Sequence, residues 1–231
     1  MKYIILALSL LLLPFAAHAE HPTSFSKAKK LAAEHYKGDE KTFYCGCTYH
    51  YEGKKLVPDA DSCGYEPRVP ITKKGNPNSR ATRIEWEHVM PAWVFGHQRQ
   101  CWQEGGRKAC KKDAEFNKME ADLHNLVPAV GELNGDRSNY KFGMIPGEPR
   151  AYGACDFEVD FKGKVAEPME AVRGDIARVY FYMRDQYGLK LSKQQTLLLE
   201  VWAKADPVSD EERARNERIA KIQGNANPWI K

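Results

Sequence analysis

The sequence predicts a single α+β domain, and three observations carry that prediction. The run "RIEWEHVM", Arg83 to Met90, places β-branched and aromatic residues at about every second position, as a strand does. The last third of the chain shows the apolar spacing of amphipathic helices instead. No internal repeat, low-complexity tract or long linker divides the 231 residues.

Residues 1–19, "MKYIILALSLLLLPFAAHA", hold one basic residue, an apolar run from Tyr3 to Leu13, and the ending Ala17-His18-Ala19. That is the pattern of a secretory signal peptide cut after Ala19. The run is shorter than the about 20 apolar residues a spanning helix needs, so the expected product is exported with no membrane anchor. The 231 residues less those 19 leave 212, residues 20–231, enough for one well-buried domain. The formal charge is +4, and it falls to +3 without the leader's single lysine. This mild excess admits an anionic partner without demanding one.

Next, "TSFSKAKKLAAEHY" reads as a helix capped by Ser24 and ended by Gly38. Thr42 to Tyr65 reads as strands or extended loops held by disulfides, and "KKGNPNSRAT" as a basic, turn-rich loop. After the "RIEWEHVM" strand, the stretch with Gly96, Gly105 and Gly106 is expected to be a loop. "DAEFNKMEADLHNL" has Phe116, Met119 and Leu123 at helical spacing. Pro128 is expected to open a short helix that Gly135 ends. Gly147 to Lys164 reads as loop and strand. "MEAVRGDIARVYFYMRDQY" places Val172, Ile176, Val179, Tyr180, Met183 and Tyr187 on one helical face. Ser192 with Gln195, and Ser209 with Glu212, are capping-box starts of two further helices, the last stopped by Gly224.

The six cysteines are Cys45, Cys47, Cys63, Cys101, Cys110 and Cys155. An even count in an exported chain implies three disulfides, with a connectivity that sequence alone does not choose. Cys101 and Cys110 bracket a short polar loop and are the first expected pair. A zinc cluster is disfavoured, because "CGC" lacks the spacing of a zinc knuckle.

The chemistry is expected at Glu87-His88, inside an apolar run that stops at Pro91. Adjacent ionisable side chains are costly in such a run unless paired or metal-bound. Strand neighbours point to opposite faces, so both serve one site only where the strand ends and the chain bends. A carboxylate is a hard ligand suited to Mg²⁺, and a neutral imidazole is a base near pH 7. "ELNGDRSN" supplies a second oxygen ligand in Asn134, with Arg137 and Asn139 close by. Strand with histidine, loop, then helix with asparagine is the order of a ββα-metal, or His-Me finger, nuclease.

Six stretches, "FYCGC", "RIEWEHVMPAW", "FGHQRQCWQEGGRKAC", "MEADLHNLVPAVGELNGDRSN", "RGDIARVYFYM" and "RIAKIQGNANPW", extend the likeness in order along the chain. Together they resemble the endonuclease I family of bacterial periplasmic or secreted non-specific nucleases. The resemblance implies a central ββα-metal core within the α+β fold. It implies cleavage of double-stranded DNA, with single-stranded DNA and RNA also admitted, to 5′-phosphate and 3′-hydroxyl ends. It implies one divalent ion, Mg²⁺, whose site also suits Mn²⁺ or Ca²⁺, in a monomer of the periplasm or the medium. Carried over, His88 is the general base, Glu87 and Asn134 are the metal ligands, and Arg107 holds the phosphate. Some relatives have a further cysteine pair near the C-terminus. Its lack here implies three disulfides and a less tethered tail.

Candidate phosphate contacts are Lys73, Lys74, Arg80, Arg83, Arg99, Lys108, Lys111, Lys112 and Arg137. Glu85 is either a supporting group of the site or an exposed strand residue. His21, His35, His50 and His97 read as surface or loop residues, and the five tryptophans chiefly as core. Two rivals stand beside the nuclease. One is a zinc-dependent hydrolase built on Glu87, His88 and His124. The other is a non-catalytic nucleic-acid-binding module, which has no need of a base beside a metal ligand.

Overall fold

The computed structural model describes residues 19–147 and 149–231, so the expected leader lies, but for Ala19, outside the described residues. Helix α1 (Phe25–His35) starts where the Ser24 hydroxyl accepts from the Lys27 N–H. Its Ala28 and Ala32 bury against Leu123, Leu126 and Ile219. The turn that follows reaches Gly38 at φ +84°, a conformation that glycine adopts without strain. Strands β1 (Tyr49–Glu52) and β2 (Lys55–Pro58) form an antiparallel hairpin, tied to the chain before and after it by the Cys47–Cys63 disulfide.

Strand β3 (Ile84–His88) pairs antiparallel with β4 (Leu126–Val130), from Ile84 opposite Val130 to His88 opposite Leu126. Helix α5 (Gly131–Arg137) begins at the next residue, with no linker. The expectation of a helix opening at Pro128 is therefore corrected: Pro128 lies mid-strand, opposite Trp86. Its carbonyl accepts from the Phe43 N–H, on the side away from β3. Its own nitrogen points that way too, so the absent N–H removes no bond from the β3–β4 ladder. Gly135 does not end α5 but lies within it.

Between β3 and β4 come α2 (Ala92–Gly96), α3 (Gln100–Cys110) and α4 (Ala114–Glu120). The glycine-rich stretch expected as loop is thus largely helical. It is broken inside α3, where Gly106 adopts φ +62°, ψ −156°, and the Cys101–Cys110 disulfide spans the break. α4 stops at Glu120, short of the helix expected through Leu126, and a single 3₁₀ turn at Leu123–Asn125 leads into β4.

Beyond α5, strands β5 (Lys141–Phe142), β6 (Phe157–Asp160) and β7 (Val165–Pro168) form a sheet in the order β5-β7-β6. Its β5–β7 pair is parallel and its β6–β7 pair antiparallel. Helix α6 (Arg173–Tyr187) carries the expected apolar face and is buried almost all round from Ile176 to Met183. Helix α7 (Lys193–Ala205) brings Leu199 and Trp202 into the same core. Helix α8 (Asp210–Gln223) has a reciprocal Ser209–Glu212 capping box and ends at Gly224 in the left-handed region; at Ser192 only the serine half of the box forms.

All six cysteines pair, as Cys45–Cys155, Cys47–Cys63 and Cys101–Cys110. The mixed helix and sheet architecture is the expected α+β class. The C-terminal tail, without a disulfide of its own, is held by hydrogen bonds and burial. Asn227 donates its N–H to the Asn216 Oδ1 at 2.7 Å and its Nδ2 to the Arg178 carbonyl at 3.2 Å, and Ile230 is buried. His35, expected at the surface, is buried too, and burial holds its imidazole down to about 3. Trp93 and Trp229, expected in the core, are 44% and 41% exposed. Among the described residues no helix is long and apolar enough to cross a membrane.

Candidate active site

β3 and β4 form a two-stranded ribbon, so β3 keeps one edge unpaired among the described residues. Along that edge opens a cleft of about 550 Å³, lined by Glu85, Glu87 and His88 from β3, Asn134 from α5, and Arg107 from α3. Side chains from both faces of the ribbon reach it because His88 is the last residue of the strand. The chain beyond is held by Asn125, whose Oδ1 accepts from the Met90 N–H at 2.7 Å and whose Nδ2 donates to the Met90 carbonyl at 3.0 Å. The bend expected before Pro91 is thus present and clamped.

Glu87 is 5% exposed. Its Oε1 accepts from Arg137 Nη1 at 2.8 Å and from the Tyr44 hydroxyl at 3.2 Å, which leaves Oε2 uncommitted beside the cleft. Burial raises its carboxyl to about 7 and outweighs the pull of Arg137 and Tyr44 in the other direction. Arg137 was expected to contact phosphate, and the structure corrects this. Its side chain is fully buried and also donates to the carbonyls of His88 and Val89. It lies 4.5 Å over the Phe142 ring. Arg137 therefore supports Glu87 from behind.

His88 is 7% exposed, with Phe25 stacked at a tilt 4.7 Å away. Its Nε2–H donates to the Glu120 carbonyl at 2.8 Å, which fixes the tautomer and leaves the Nδ1 lone pair free. Burial lowers its pKa to about 4, so the ring is neutral at pH 7, the form a base requires. The Glu120 side chain serves a second neighbour, accepting from Arg107 Nε at 2.6 Å. Arg107 remains about half exposed, with its two terminal nitrogens unspent. The break at Gly106 lets α3 turn at the residue before Arg107.

Asn134 donates Nδ2 to Glu85 Oε2 at 3.0 Å, and its Oδ1 has no protein partner. Glu85 also binds Arg80 and Arg83, so it is a supporting group of the site rather than a free strand residue.

The basic candidates separate. Arg80 and Arg83 line the cleft, together with Lys29. Lys111 lines a second concavity, about 690 Å³, that shares Phe25, Lys29 and Arg107 with the first. A third shares Arg83 and Ile84 and adds Lys54 and Lys55. Lys73, Lys74, Lys108 and Lys112 line none of the three, and Arg99 is paired with Asp113 at 3.1 Å. Sequence reasoning missed Lys29, Lys54, Lys55, Tyr44 and Glu120. The three lysines look like any solvated cation in the sequence, and Glu120 acts on His88 through a backbone carbonyl.

His124 does not join the cleft. Its Nε2 donates to the Asn225 carbonyl at 2.9 Å, and its ring lies 4.6 Å from that of Tyr182. Among the described residues no group of three or more His, Cys, Asp or Glu side chains is placed to hold a metal ion. The structure thus does not bring His124 together with Glu87 and His88.

Comparison with known proteins places the site in context. The model of the endonuclease I family matches residues 23–231. A periplasmic deoxyribonuclease of Aeromonas hydrophila is 53% identical over 221 residues, covering 95% of this chain and 90% of its own. An extracellular deoxyribonuclease of the same organism is 51% identical over 228 residues, 98% of this chain and 96% of its own. More distantly, an extracellular ribonuclease of Bacillus subtilis is 37% identical over 128 residues, 47% of this chain and 43% of its own.

Proposed function

The chain belongs to the endonuclease I family, and from that premise we propose that it is an exported, non-specific endonuclease acting on DNA and also on RNA. The observation that carries this reading is the convergence of Glu87, His88, Asn134 and Arg107 on one cleft, each with a polar atom the protein leaves uncommitted. Two strands followed at once by a helix, with the base on the first strand and the amide on the helix, are read as a ββα-metal core. The relatives named periplasmic and extracellular support export, and the proposal includes a leader cut after Ala19 and a single working domain at residues 20–231.

The donor set fits Mg²⁺. Glu87 Oε2 and Asn134 Oδ1 are hard oxygen donors free of protein partners, and water would complete the shell. An ion held by Glu87 and Asn134 would supply Lewis-acid stabilisation of the negative charge that develops in phosphodiester cleavage. His88 Nδ1 accepts a proton from the attacking water, while the Glu120 carbonyl holds the ring and spreads the positive charge it gains. Base catalysis of this kind contributes about 10²–10⁴ in rate. Arg107 donates from its terminal nitrogens to a non-bridging phosphate oxygen, braced by Glu120. The products carry a 5′-phosphate and a 3′-hydroxyl.

The three adjoining concavities give the strand a path, from Lys54 and Lys55 past Arg83 and Arg80 to Lys29 and Lys111. Contacts to phosphate position a nucleic acid without reading its bases, in accord with non-specific cleavage. Plasmid digestion by wild type and by H88A, each with Mg²⁺ and with chelator, tests the reading. Nicking is expected only from wild type with Mg²⁺. Equal nicking by H88A would overturn it.

A further inference from the structure

Glu85 stands on the same face of β3 as Glu87, two residues earlier, and has no role in the reaction derived so far. Its carboxylate is fully occupied. Oε1 accepts from Arg80 Nε at 3.1 Å and from Arg83 Nε and Nη2 at 2.9 and 2.6 Å. Oε2 accepts from Arg80 Nη2 at 2.5 Å and from Asn134 Nδ2 at 3.0 Å. Helix α5 is pared back to admit this cluster. A Cβ at Gly131 would lie 3.0 Å from the Glu85 carboxyl, and one at Gly135 would collide with Arg80 Nη1.

We propose that Glu85 is the positioning residue of Asn134, aiming the amide oxygen at the divalent cation. The proposal rests on the reading of Asn134 as a metal ligand. A primary amide has two ends of nearly equal shape, one an acceptor and one a donor. Nothing in the backbone decides which end faces the cleft. A carboxylate accepts and cannot donate, so Glu85 must take the NH₂ end and Oδ1 is turned outward. Arg80 and Arg83 hold the carboxylate in place and occupy both of its oxygens. This explains why an acid so near the cleft is not itself a ligand. Glu87 is held by Arg137 and Tyr44 in the same manner. Each ligand thus has a partner that spends one polar atom and leaves the other.

A double-mutant cycle read by calorimetry with Mn²⁺ alone tests this. E85Q is expected to lower Mn²⁺ affinity about tenfold, the lower range for loss of a group that orients a ligand. In the N134D background the ligand has no NH₂ end to orient, and Glu85 repels its carboxylate. There E85Q is expected to leave affinity unchanged or to raise it. If Glu85 acted only as a nearby negative charge, E85Q would lower affinity by the same factor in both backgrounds, and the proposal would fall. E85D is the second reporter. It keeps the charge and withdraws the acceptor, so affinity should drop as in E85Q. A wild-type value would again leave charge as the whole effect and overturn positioning. N134A separates the premise from the inference: unchanged Mn²⁺ affinity in that variant removes Asn134 as a ligand, whatever Glu85 does.

Discussion

Asp122 accepts from five donors: the Tyr187 and Tyr182 hydroxyls at 2.6 and 2.7 Å, the His124 N–H at 2.9 Å, Gln223 Nε2 at 3.0 Å, and His21 Nε2 at 3.4 Å. Glu87, also buried and near the same end of the β3–β4 ribbon, accepts from two, both on Oε1. Burial alone would raise both carboxyls. At Asp122 the contacts from His21, His124 and Tyr187 outweigh it and hold the group well below the ordinary carboxylate range. At Glu87 burial wins, and the group rises to about 7. The difference teaches how one functional group, the carboxylate, becomes either a pin or an acceptor with an oxygen left open. A complete shell ties α6, α8 and the N-terminal segment together, whereas a half-filled shell leaves an oxygen for something the protein does not supply.

The comparison breaks if the two centres respond alike to substitution. The largest effect is expected at the cleft. H88A should slow plasmid nicking per folded molecule by about 10²–10⁴. D122A should act on stability instead. Removing one member of a buried, hydrogen-bonded charged cluster costs about 3–5 kcal/mol, read from denaturant melts, while the folded fraction keeps its activity. A D122A protein of native stability would end the view of Asp122 as a pin.

Acidity sharpens the contrast. The folded pKa of Glu87 lies above the unfolded value of 4.5, so its contribution to metal-free stability is full below 4.5 and is lost as pH rises towards about 7. A cation needs the ionised form. Mn²⁺ affinity, followed by calorimetry, should therefore fall about tenfold per pH unit below that value. The Asp122 carboxyl is depressed, so its contribution is present above its unfolded pKa near about 3.9 and is lost only as pH falls through the lower folded value. Acid titration of stability between pH 5 and 7 should thus be unaltered by D122N and altered by E87Q.

The smallest effect concerns charges that touch neither centre. Substituting Lys54 and Lys55 together with glutamate should flatten the log–log dependence of DNA affinity on salt by about 0.9 for each phosphate no longer neutralised. The same change at Lys73 and Lys74, which line none of the three concavities, should leave the slope as it was.

Much of this was legible in the residues. The β3 strand, the buried face of α6, the Ser209–Glu212 box and the Cys101–Cys110 pair follow from local rules that the tertiary structure does not oppose. Pro128 misled because the rule against proline in strands concerns a nitrogen that faces a partner strand, and here it faces away. Arg137 misled because an arginine three residues beyond Asn134, in a polar stretch, reads as a surface cation. Only the fold shows that Glu87 and two carbonyls have drawn it inside. Glu85 could be ranked only once Arg80, Arg83 and Asn134 were seen around it.

The join between Val130 and Gly131 has a bearing on how such a chain can vary. With no residue between strand and helix, the offset from the β3–β4 register to Asn134 is set by backbone geometry alone. One residue inserted there would rotate the amide by about 100° around the helix, more than a quarter of a turn. The exposed turn at Lys73 to Gly75 carries no such constraint. An inserted residue should accordingly be tolerated at that turn and disrupt the cleft at this junction.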